Sequence, residues 1–248
     1  MVVLLTSSPS GPLNVPNYDK VLDEKNGFVN RLKQYWKSDM KGLIICADPD
    51  SFDGNDEMRD FFEHAFRNSG VPVTGFDLWD FRSQDMSEAS LAQYDVVMLG
   101  GGHVPTQNRF FQQIHLREMM QSFEGIVIGV SAGTMNSASV VYAQPELSGE
   151  SIHPEYERYL DGLGLTNLMI LPHYQMVKDY LLDGKRLFED ITYGDSYGKQ
   201  FVALEDGSYV LIENGVTTLL GRAYRIADGV ISQICEDGEC VKLENGCG

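Results

Sequence analysis

The sequence predicts an α/β fold in which a doubly wound, mostly parallel sheet carries helices on both faces and is followed by an antiparallel β meander. Short runs of Val, Ile and Leu alternate with segments of helical periodicity, as in parallel sheets whose strands are buried on both faces. From about residue 201 onward, short strands are instead divided by Asp-Gly and Asn-Gly turns, as in hairpins. The length suits one domain over residues 1–248, with the antiparallel extension at about 201–248.

The first half of the chain alternates strand and helix. Its predicted strands are Val2–Thr6, 43–47, 71–78, Val96–Leu99 and Ile126–Val130. Apolar residues at helical spacing predict helices over 23–36, 55–67 and 105–123. A strand-helix alternation of this kind is typical of an open, doubly wound sheet.

The second half begins with a helix near Ser131 and a long surface excursion at 144–164, which is rich in Pro and Gly. A strand at 168–171 and a helix at 176–191 are predicted next, although Gly184 interrupts the helical pattern. The meander follows with strands at 201–204, 208–212, 217–220, 223–226, 230–234 and 241–243. We expect these strands to extend the same sheet.

The charge balance argues against several classes of partner. The chain holds 19 Lys and Arg against 36 Asp and Glu, which gives a net charge of −17. This sign repels phosphate backbones and anionic lipid, so nucleic acid is excluded as a partner. The sequence lacks an apolar run long enough to span a bilayer and a basic segment at its start, so we expect a cytoplasmic protein without a membrane partner.

The four cysteines match no common zinc spacing, so no metal is predicted. Cys235 and Cys240 flank a predicted hairpin with Asp-Gly at its tip, which would put their sulfurs opposite each other on neighbouring strands. A disulfide and two reduced thiols both remain open, and a cytoplasmic location favours the thiols. Cys46 and Cys247 stand apart from this pair.

The most informative motif is Gly-x-Ser-x-Gly, formed by Gly129, Ser131 and Gly133 between an apolar strand and a predicted helix. This is the strand-turn-helix context of a nucleophile elbow, whose tight turn leaves no room for side chains at the two glycines. The N–H of Ala132, at the start of the helix, can stabilise an oxyanion. A plain turn with a capping serine is the alternative.

A second glycine cluster, at Gly100, Gly101 and Gly102, follows the strand Val96–Leu99. Carboxyl ends of parallel strands converge on one crevice, so this loop can face Ser131 and add an N–H from Gly101 or Gly102 to the oxyanion hole. A sharp turn or a phosphate-binding loop are the alternatives, but the phosphate motifs are incomplete.

A serine nucleophile needs a base, and five histidines are available. His173 is the best candidate because it follows the predicted strand at 168–171 and so reaches the same crevice as Ser131. His103 is second, since it adjoins the glycine loop and can contact substrate. His64 and His115 fall within predicted helices, and His153 lies in the surface excursion.

Taken together, these motifs resemble the peptidase E and cyanophycinase family of serine peptidases, whose fold is similar to that of class I glutamine amidotransferases. The resemblance covers about residues 40–230 and is carried by Gly100-Gly101-Gly102, Gly129-Val130-Ser131-Ala132-Gly133, Pro172-His173-Tyr174 and the segment 203–208. It implies Ser131 as nucleophile, His173 as base and an acidic residue that completes the triad.

The resemblance also implies candidates for the acid and for substrate recognition. The acid falls on Glu205 or Asp206, with register favouring Asp206, and Glu146 is an alternative. Arg186 matches the place of a cation that binds an aspartyl side chain. The glycine loop is followed by His103 where the family usually has Asn, which argues against strict aspartyl specificity.

The expected function is therefore that of a serine hydrolase of small acidic peptides, and an Asp-X dipeptidase in particular. It needs no cofactor, its partner is a small peptide substrate, and a homodimer is left open. A cyanophycinase-like hydrolase of β-aspartyl-arginine is one alternative, and a catalytically silent binding domain is another. A class I amidotransferase is disfavoured because that chemistry uses a cysteine at the position of Ser131.

Overall fold

The computed structural model describes residues 1–12, 14–83 and 87–243. The strands of these residues are β1 (Val2–Thr6), β2 (Gly42–Ile45), β3 (Phe76–Trp79), β4 (Val96–Leu99), β5 (Ile126–Val130), β6 (Val140–Tyr142), β7 (Tyr159–Asp161), β8 (Met169–Leu171), β9 (Leu181–Leu182), β10 (Lys185–Arg186), β11 (Gln200–Leu204), β12 (Tyr209–Glu213), β13 (Val216–Leu220), β14 (Ala223–Ala227), β15 (Val230–Cys235) and β16 (Cys240–Leu243).

The α-helices of the same residues are α1 (Phe28–Tyr35), α2 (Phe52–Asn68), α3 (Glu88–Leu91), α4 (Val104–Gln113), α5 (Leu116–Met120), α6 (Ala132–Asn136), α7 (Tyr174–Val177) and α8 (Tyr193–Asp195). A 3-10 turn at Lys25–Gly27 precedes α1, and a π-helical segment at Leu187–Thr192 precedes α8. None of these helices is long and apolar enough to cross a membrane.

The main sheet has eight strands in the order β16-β13-β12-β1-β5-β4-β2-β3. The five strands from β1 to β3 in this order are parallel, whereas β12, β13 and β16 pair antiparallel on the other side of β1. The predicted fold class is thereby confirmed: a largely parallel central sheet with helices and a C-terminal antiparallel region. Strand β1 lies between β5 and β12, so the carboxyl ends of β1 and β5 lie beside the amino end of β12.

A second sheet has the order β15-β14-β11-β8, with β8 parallel to β11 and the other pairs antiparallel. The meander is therefore shared between two sheets, and the expectation that it extends one sheet was wrong. The chain alternates between them: β11 and β14 belong to the second sheet, whereas β12 and β13 extend the main one. The turn from β11 to β12 consequently spans the junction of the two sheets.

The same division corrects the prediction for Cys235 and Cys240. Cys235 ends β15 in the second sheet and is opposite Ala223, whereas Cys240 begins β16 in the main sheet and is opposite Leu220. The two cysteines do not pair across one hairpin, and both are free thiols. Cys247 lies outside the described residues.

The core lies on both faces of the main sheet because the side chains of each strand alternate. Along β1, Val3 and Leu5 pack against the face covered by α4 and α5, whereas Leu4 packs against the face covered by α1 and α2. A third apolar cluster joins the second sheet to α6 and to the π-helical segment. The first and third clusters contain residues of the second sheet as well, so apolar packing joins the two sheets.

Two predicted helices differ in the structure. The segment 176–191 is not one helix, because Asp183 (φ 51°) and Gly184 (φ 80°) form the left-handed turn of the small hairpin β9-β10. The predicted helix over 105–123 divides into α4 and α5 at His115, whose φ is 53°. The long predicted strand at 71–78 is shortened to β3.

Candidate active site

Ser131 lies at a strained turn between β5 and α6. Its backbone angles are φ 50° and ψ −110°, which a residue with a side chain rarely adopts. A Cβ at Gly133 would lie 2.2 Å from the carbonyl oxygen of Leu99, and a Cβ at Gly129 would lie 2.8 Å from Oγ1 of Thr134. Both glycines of the motif are therefore required by close packing around the turn.

Two threonines attach this turn to β1. The hydroxyl of Thr134 donates to the carbonyl of Thr6 at 2.7 Å, and the hydroxyl of Thr6 donates to the carbonyl of Gly129 at 2.7 Å. Because both threonines are buried, these hydrogen bonds are shielded from competing water. The turn that presents Ser131 is thus held by its neighbouring strand.

His173 follows β8 and lies within hydrogen-bonding distance of the serine. Its Nε2 is 2.9 Å from Oγ of Ser131. The residue adopts the left-handed conformation, with φ 57°, immediately before α7. In this position the imidazole can accept the proton of the serine hydroxyl, as a general base does.

Asp206 completes the arrangement from the turn between β11 and β12. Its Oδ1 is 2.7 Å from Nδ1 of His173. Burial raises the pKa of this carboxyl, but hydrogen bonds from His173, Ser7 and Gln175 outweigh that effect and lower the pKa below its usual value. An ionised Asp206 holds the proton of His173 on Nδ1 and leaves Nε2 free to accept.

The other two acidic candidates lie elsewhere. Glu205 accepts a hydrogen bond from the hydroxyl of Tyr224 at 2.9 Å. Glu146 lines a cavity next to His173. The ring nitrogens of His173 are bonded to Ser131 and Asp206, so the structure brings Asp206, and neither of these glutamates, within hydrogen-bonding distance of the imidazole.

The glycine loop after β4 borders Ser131 closely. A Cβ at Gly101 would lie 3.4 Å from Cβ of Ser131, and a Cβ at Gly102 would lie 2.7 Å from Cβ of Ala47. Ala132 is the first residue of α6, and its N–H belongs to the unpaired N–H groups of a helix start. Gly101 and Ala132 therefore lie directly beside Ser131, and Gly102 lines the same two cavities as Ser131.

Two cavities meet at the nucleophile, and Gly102, Ser131 and His173 line both of them. The first has a volume of about 390 Å³ and is lined further by Val104, Met135, Gln144, Pro145, Glu146, Leu147, Pro172, Val177, Tyr180 and Leu187. The second has a volume of about 460 Å³, and the side chains of α2 that line it are Met58, Phe61 and Phe62. A substrate bound at Ser131 can thus extend in two directions.

Glu146 is the one acidic residue among those that line the first cavity, and no Lys or Arg lines it in the described part of the chain. Desolvation by the cavity wall raises the pKa of Glu146, and nearby Glu150 adds to this shift, while His103 and His173 oppose it. The chemistry of this cavity suits a neutral or positively charged group better than a carboxylate.

His103 is engaged with the loop that forms the cavity wall. Its Nε2 is 2.8 Å from Oε1 of Glu150, and its Nδ1 is 2.8 Å from Oγ1 of Thr106. The other oxygen of Glu150 accepts the N–H groups of Glu146 and Leu147, each at 2.9 Å. His103 therefore lies beside the cavity loop and is not among the described residues that line either cavity.

Arg186 lies on the surface at the end of β10. Its Nη2 is 2.6 Å from Oδ1 of Asp190, and its side chain is 58% exposed. Its neighbour Leu187 lines the first cavity, but Arg186 lines neither cavity at Ser131. The structure does not bring this arginine to the nucleophile.

Two residues at the site were not identified from the sequence. Ser7 follows β1 and donates to Oδ1 of Asp206 at 2.6 Å, and Gln175 donates to Oδ2 at 2.6 Å. The end of β1 at the converging strand edge was a signal for Ser7. Within the described ranges, no group of three or more His, Cys, Asp or Glu side chains is arranged to hold a metal ion.

Comparison with known proteins identifies the family of the chain and proteins of similar fold. The model of peptidase family S51 matches residues 50–220. The fold is similar to that of a peptidase from an acI-B1 Actinobacterium, with a TM-score of 0.61 and 16% identity over 98% of this chain and 96% of that chain. It is also similar to a Listeria monocytogenes EGD-e protein provisionally assigned as a peptidase E, with a TM-score of 0.55 and 14% identity over 94% of this chain and 98% of that chain. No curated protein matches the chain.

Proposed function

The chain belongs to peptidase family S51, a family of serine peptidases, and from that premise we propose that it is a serine dipeptidase that acts through Ser131, His173 and Asp206. Asp-X peptides are the substrates that the family resemblance implies. The observation that carries this proposal is the position of His173, whose Nε2 is 2.9 Å from Oγ of Ser131 and whose Nδ1 is 2.7 Å from Oδ1 of Asp206. This is the proton-transfer arrangement that acyl transfer by a serine requires.

The reaction proceeds through an acyl-enzyme. Nε2 of His173 takes the hydroxyl proton of Ser131 as Oγ attacks the scissile carbonyl carbon, and Asp206 stabilises the imidazolium that forms. The N–H groups of Ala132 and of Gly101 or Gly102 stabilise the oxyanion. When the C–N bond breaks, His173 gives its proton to the leaving amine, and it then activates the water that hydrolyses the ester to the free acid and Ser131.

Glu146 supports cleavage next to a free amino terminus. An α-ammonium group is positively charged at neutral pH, and Glu146 is the acidic residue of the first cavity. A carboxylate that pairs with the amino terminus restricts the enzyme to substrates with a free amine, and so to dipeptides and other short peptides. Blocking the amine by acetylation should abolish this contact.

A second candidate function differs from the first in the substrate side chain that the enzyme recognises. Arg186, which was expected to bind an aspartyl carboxylate, is paired with Asp190. The acidic first cavity instead favours a substrate with a positively charged group, such as β-aspartyl-arginine. A cyanophycinase-like hydrolase is therefore the second candidate.

A defined peptide panel separates these proposals. Asp-Leu, Ala-Leu, β-Asp-Arg and N-acetyl-Asp-Leu are each incubated with the wild-type protein and with Ser131→Ala, and free amino acid is measured. The Asp-X proposal predicts that Asp-Leu has the highest kcat/KM and that the acetylated peptide is not cleaved. A higher kcat/KM for β-Asp-Arg would replace it with the second candidate.

Labelling by a fluorophosphonate tests the nucleophile independently of specificity. We expect one label per chain in the wild-type protein and none in Ser131→Ala, while Ser122→Ala, far from the site, keeps the label. A wild-type protein that is folded, unlabelled and inactive on all four peptides would instead be a binding domain.

A further inference from the structure

Three hydrogen bonds converge on the carboxylate of Asp206. Oδ1 accepts from His173 at 2.7 Å and from the Ser7 hydroxyl at 2.6 Å, and Oδ2 accepts from the Gln175 amide at 2.6 Å. Only the first belongs to the triad itself. We propose that Ser7 and Gln175 are positioning residues of the hydrolytic reaction, which keep Asp206 ionised and aimed at Nδ1 of His173; this rests on the proposed function.

Ser7 joins the acid and the base through one hydroxyl. Its single proton goes to Asp206, and its oxygen accepts the backbone N–H of His173 at 2.7 Å. The hydroxyl therefore has no proton left for Nδ1 of His173, which is 3.4 Å away and carries its own proton toward Asp206. Ser7 is fully buried, so water cannot replace either bond.

The bond from His173 to Ser7 also acts on the backbone. His173 has a φ of 57°, and a non-glycine residue in this conformation persists only where its surroundings hold it. The N–H that donates to Ser7 belongs to this strained residue. Ser7 follows β1, which lies directly beside β5. Its bond to His173 therefore connects the general base, which follows a strand of the second sheet, to the main sheet, which carries the nucleophile.

Gln175 holds Asp206 at two points. Its Nε2 donates to Oδ2 at 2.6 Å, and its Oε1 accepts the backbone N–H of Asp206 at 3.0 Å. The backbone N–H can only donate, so it determines which end of the amide faces the carboxylate. Gln175, two residues after His173, thereby holds both the side chain and the main chain of Asp206.

Loss of either donor should weaken the acid more than it weakens substrate binding, because Gln175 lines neither cavity and Ser7, which lines the second one, is fully buried. In the hydrogen bonds described, neither Ser7 nor Gln175 contacts the serine nucleophile. The free energy of one hydrogen bond to a charged group corresponds to a fall in kcat of about 10- to 100-fold, which is the loss we expect for each variant. KM should change little. The hydrogen bonds lower the pKa of Asp206, so their loss raises it and moves the acidic limb of the kcat profile to higher pH.

The experiment compares Ser7→Ala, Ser7→Thr, Gln175→Met and Gln175→Ala with the wild-type protein. For each we would measure kcat and KM against pH, together with the rate of fluorophosphonate labelling at Ser131. Ser7→Thr keeps the hydroxyl and should recover part of the activity that Ser7→Ala loses. Ser196→Ala is the matched control, because Ser196 is also fully buried and its hydroxyl donates to Tyr193 at 2.8 Å, away from the triad.

The labelling rate separates this proposal from the question of specificity, since it depends on the triad and not on the peptide. Slower labelling and a displaced acidic limb in Ser7→Ala and Gln175→Met, with Ser196→Ala unchanged, would support the positioning role. If Ser7→Ala does not fold, the partly exposed Gln175 still provides the test. Variants that label at the wild-type rate, or that change only KM, would overturn the proposal.

Discussion

His173 and Asp206 are joined by a 2.7 Å hydrogen bond, which connects the segment after β8 to the turn between β11 and β12. Glu205, the preceding residue, faces away from the histidine and accepts the hydroxyl of Tyr224. Successive side chains at this turn therefore point to different sides. The choice between two adjacent acids is decided by the direction of the backbone at the junction of the two sheets.

We predict that Asp206→Asn lowers kcat by about 10⁴-fold, as removal of the acid does in serine triads. The Asn side chain can donate to Nδ1 and so favours the tautomer that protonates Nε2, which cannot accept the serine proton. Glu205→Gln is the matched variant and should stay within about twofold of the wild-type kcat, as most changes away from a site do. Steady-state kinetics on one cleaved peptide measures both, and equal losses would contradict the assignment.

The same substitution has a predicted effect on stability. The pKa of Asp206 is lowered in the folded state, so its ionised form contributes stability above the pKa of the unfolded chain, and that contribution is lost as pH falls through the folded value. The free energy of unfolding of Asp206→Asn should therefore approach that of the wild type below about pH 4. Urea unfolding at pH 7 and at acidic pH measures the difference, and a gap independent of pH would disagree with this explanation.

The closeness of the residues of the proposed triad could largely be predicted because strand ends converge. The motif around Ser131 and the position of His173 after a strand were sufficient to expect the two side chains in one crevice. The end of β1 places Ser7 at the same strand edge, but a single serine or glutamine carries no spacing pattern that would mark Ser7 or Gln175 as a partner of Asp206. Their role depends on how two sheets meet, which is a long-range property of the fold.

The same limit explains the errors in the second half of the chain. Local patterns predicted the strands of the meander, but not that β12 and β13 join one sheet and β14 and β15 the other. Arg186 was expected at the site from the family resemblance alone, and 176–191 was predicted as one helix. The turn at Asp183 and Gly184 breaks that pattern and leaves Arg186 beside Asp190.

We predict that Gly133→Ala disrupts the nucleophile turn. A Cβ there would lie 2.2 Å from the Leu99 carbonyl oxygen, and such overpacking costs about 1–3 kcal/mol or forces the backbone to shift. Any shift displaces Ser131, so labelling and hydrolysis should fall together with the melting temperature. Gly194→Ala is the control. Apart from its chain neighbours and its own helix backbone, no atom of the described residues lies within 4 Å of its Cβ position, so this variant should be neutral or stabilising by up to about 1 kcal/mol. Equal behaviour of the two variants would argue against close packing as the reason for the motif.

A last prediction concerns the ion pair of Asp80 and Arg82 beside β3. Asp80 is buried, with 1% exposure, and its carboxylate accepts hydrogen bonds from the Arg82 guanidinium at distances of 2.7–3.2 Å. Burial alone would raise the pKa of Asp80. The hydrogen bonds from Arg82 outweigh this effect, so the pKa lies below its usual value. Arg82→Gln removes the charge that compensates this buried carboxylate, and we expect the free energy of unfolding to fall by more than the loss of an exposed ion pair would cause.

The sign of the pH dependence follows from the lowered pKa of Asp80. The pair stabilises the fold above the pKa of the unfolded chain, about 4, and loses its effect as pH falls through the lower folded value. The gap between Arg82→Gln and the wild type should therefore be widest near neutral pH and should close in acid. Arg59→Gln removes a guanidinium that pairs with exposed Asp60, so it should cost less than about 1 kcal/mol. Because Arg59 and Arg82 both lie close to Asp56, comparable losses in the two variants would show that surface charge, and not the buried carboxylate, accounts for the effect.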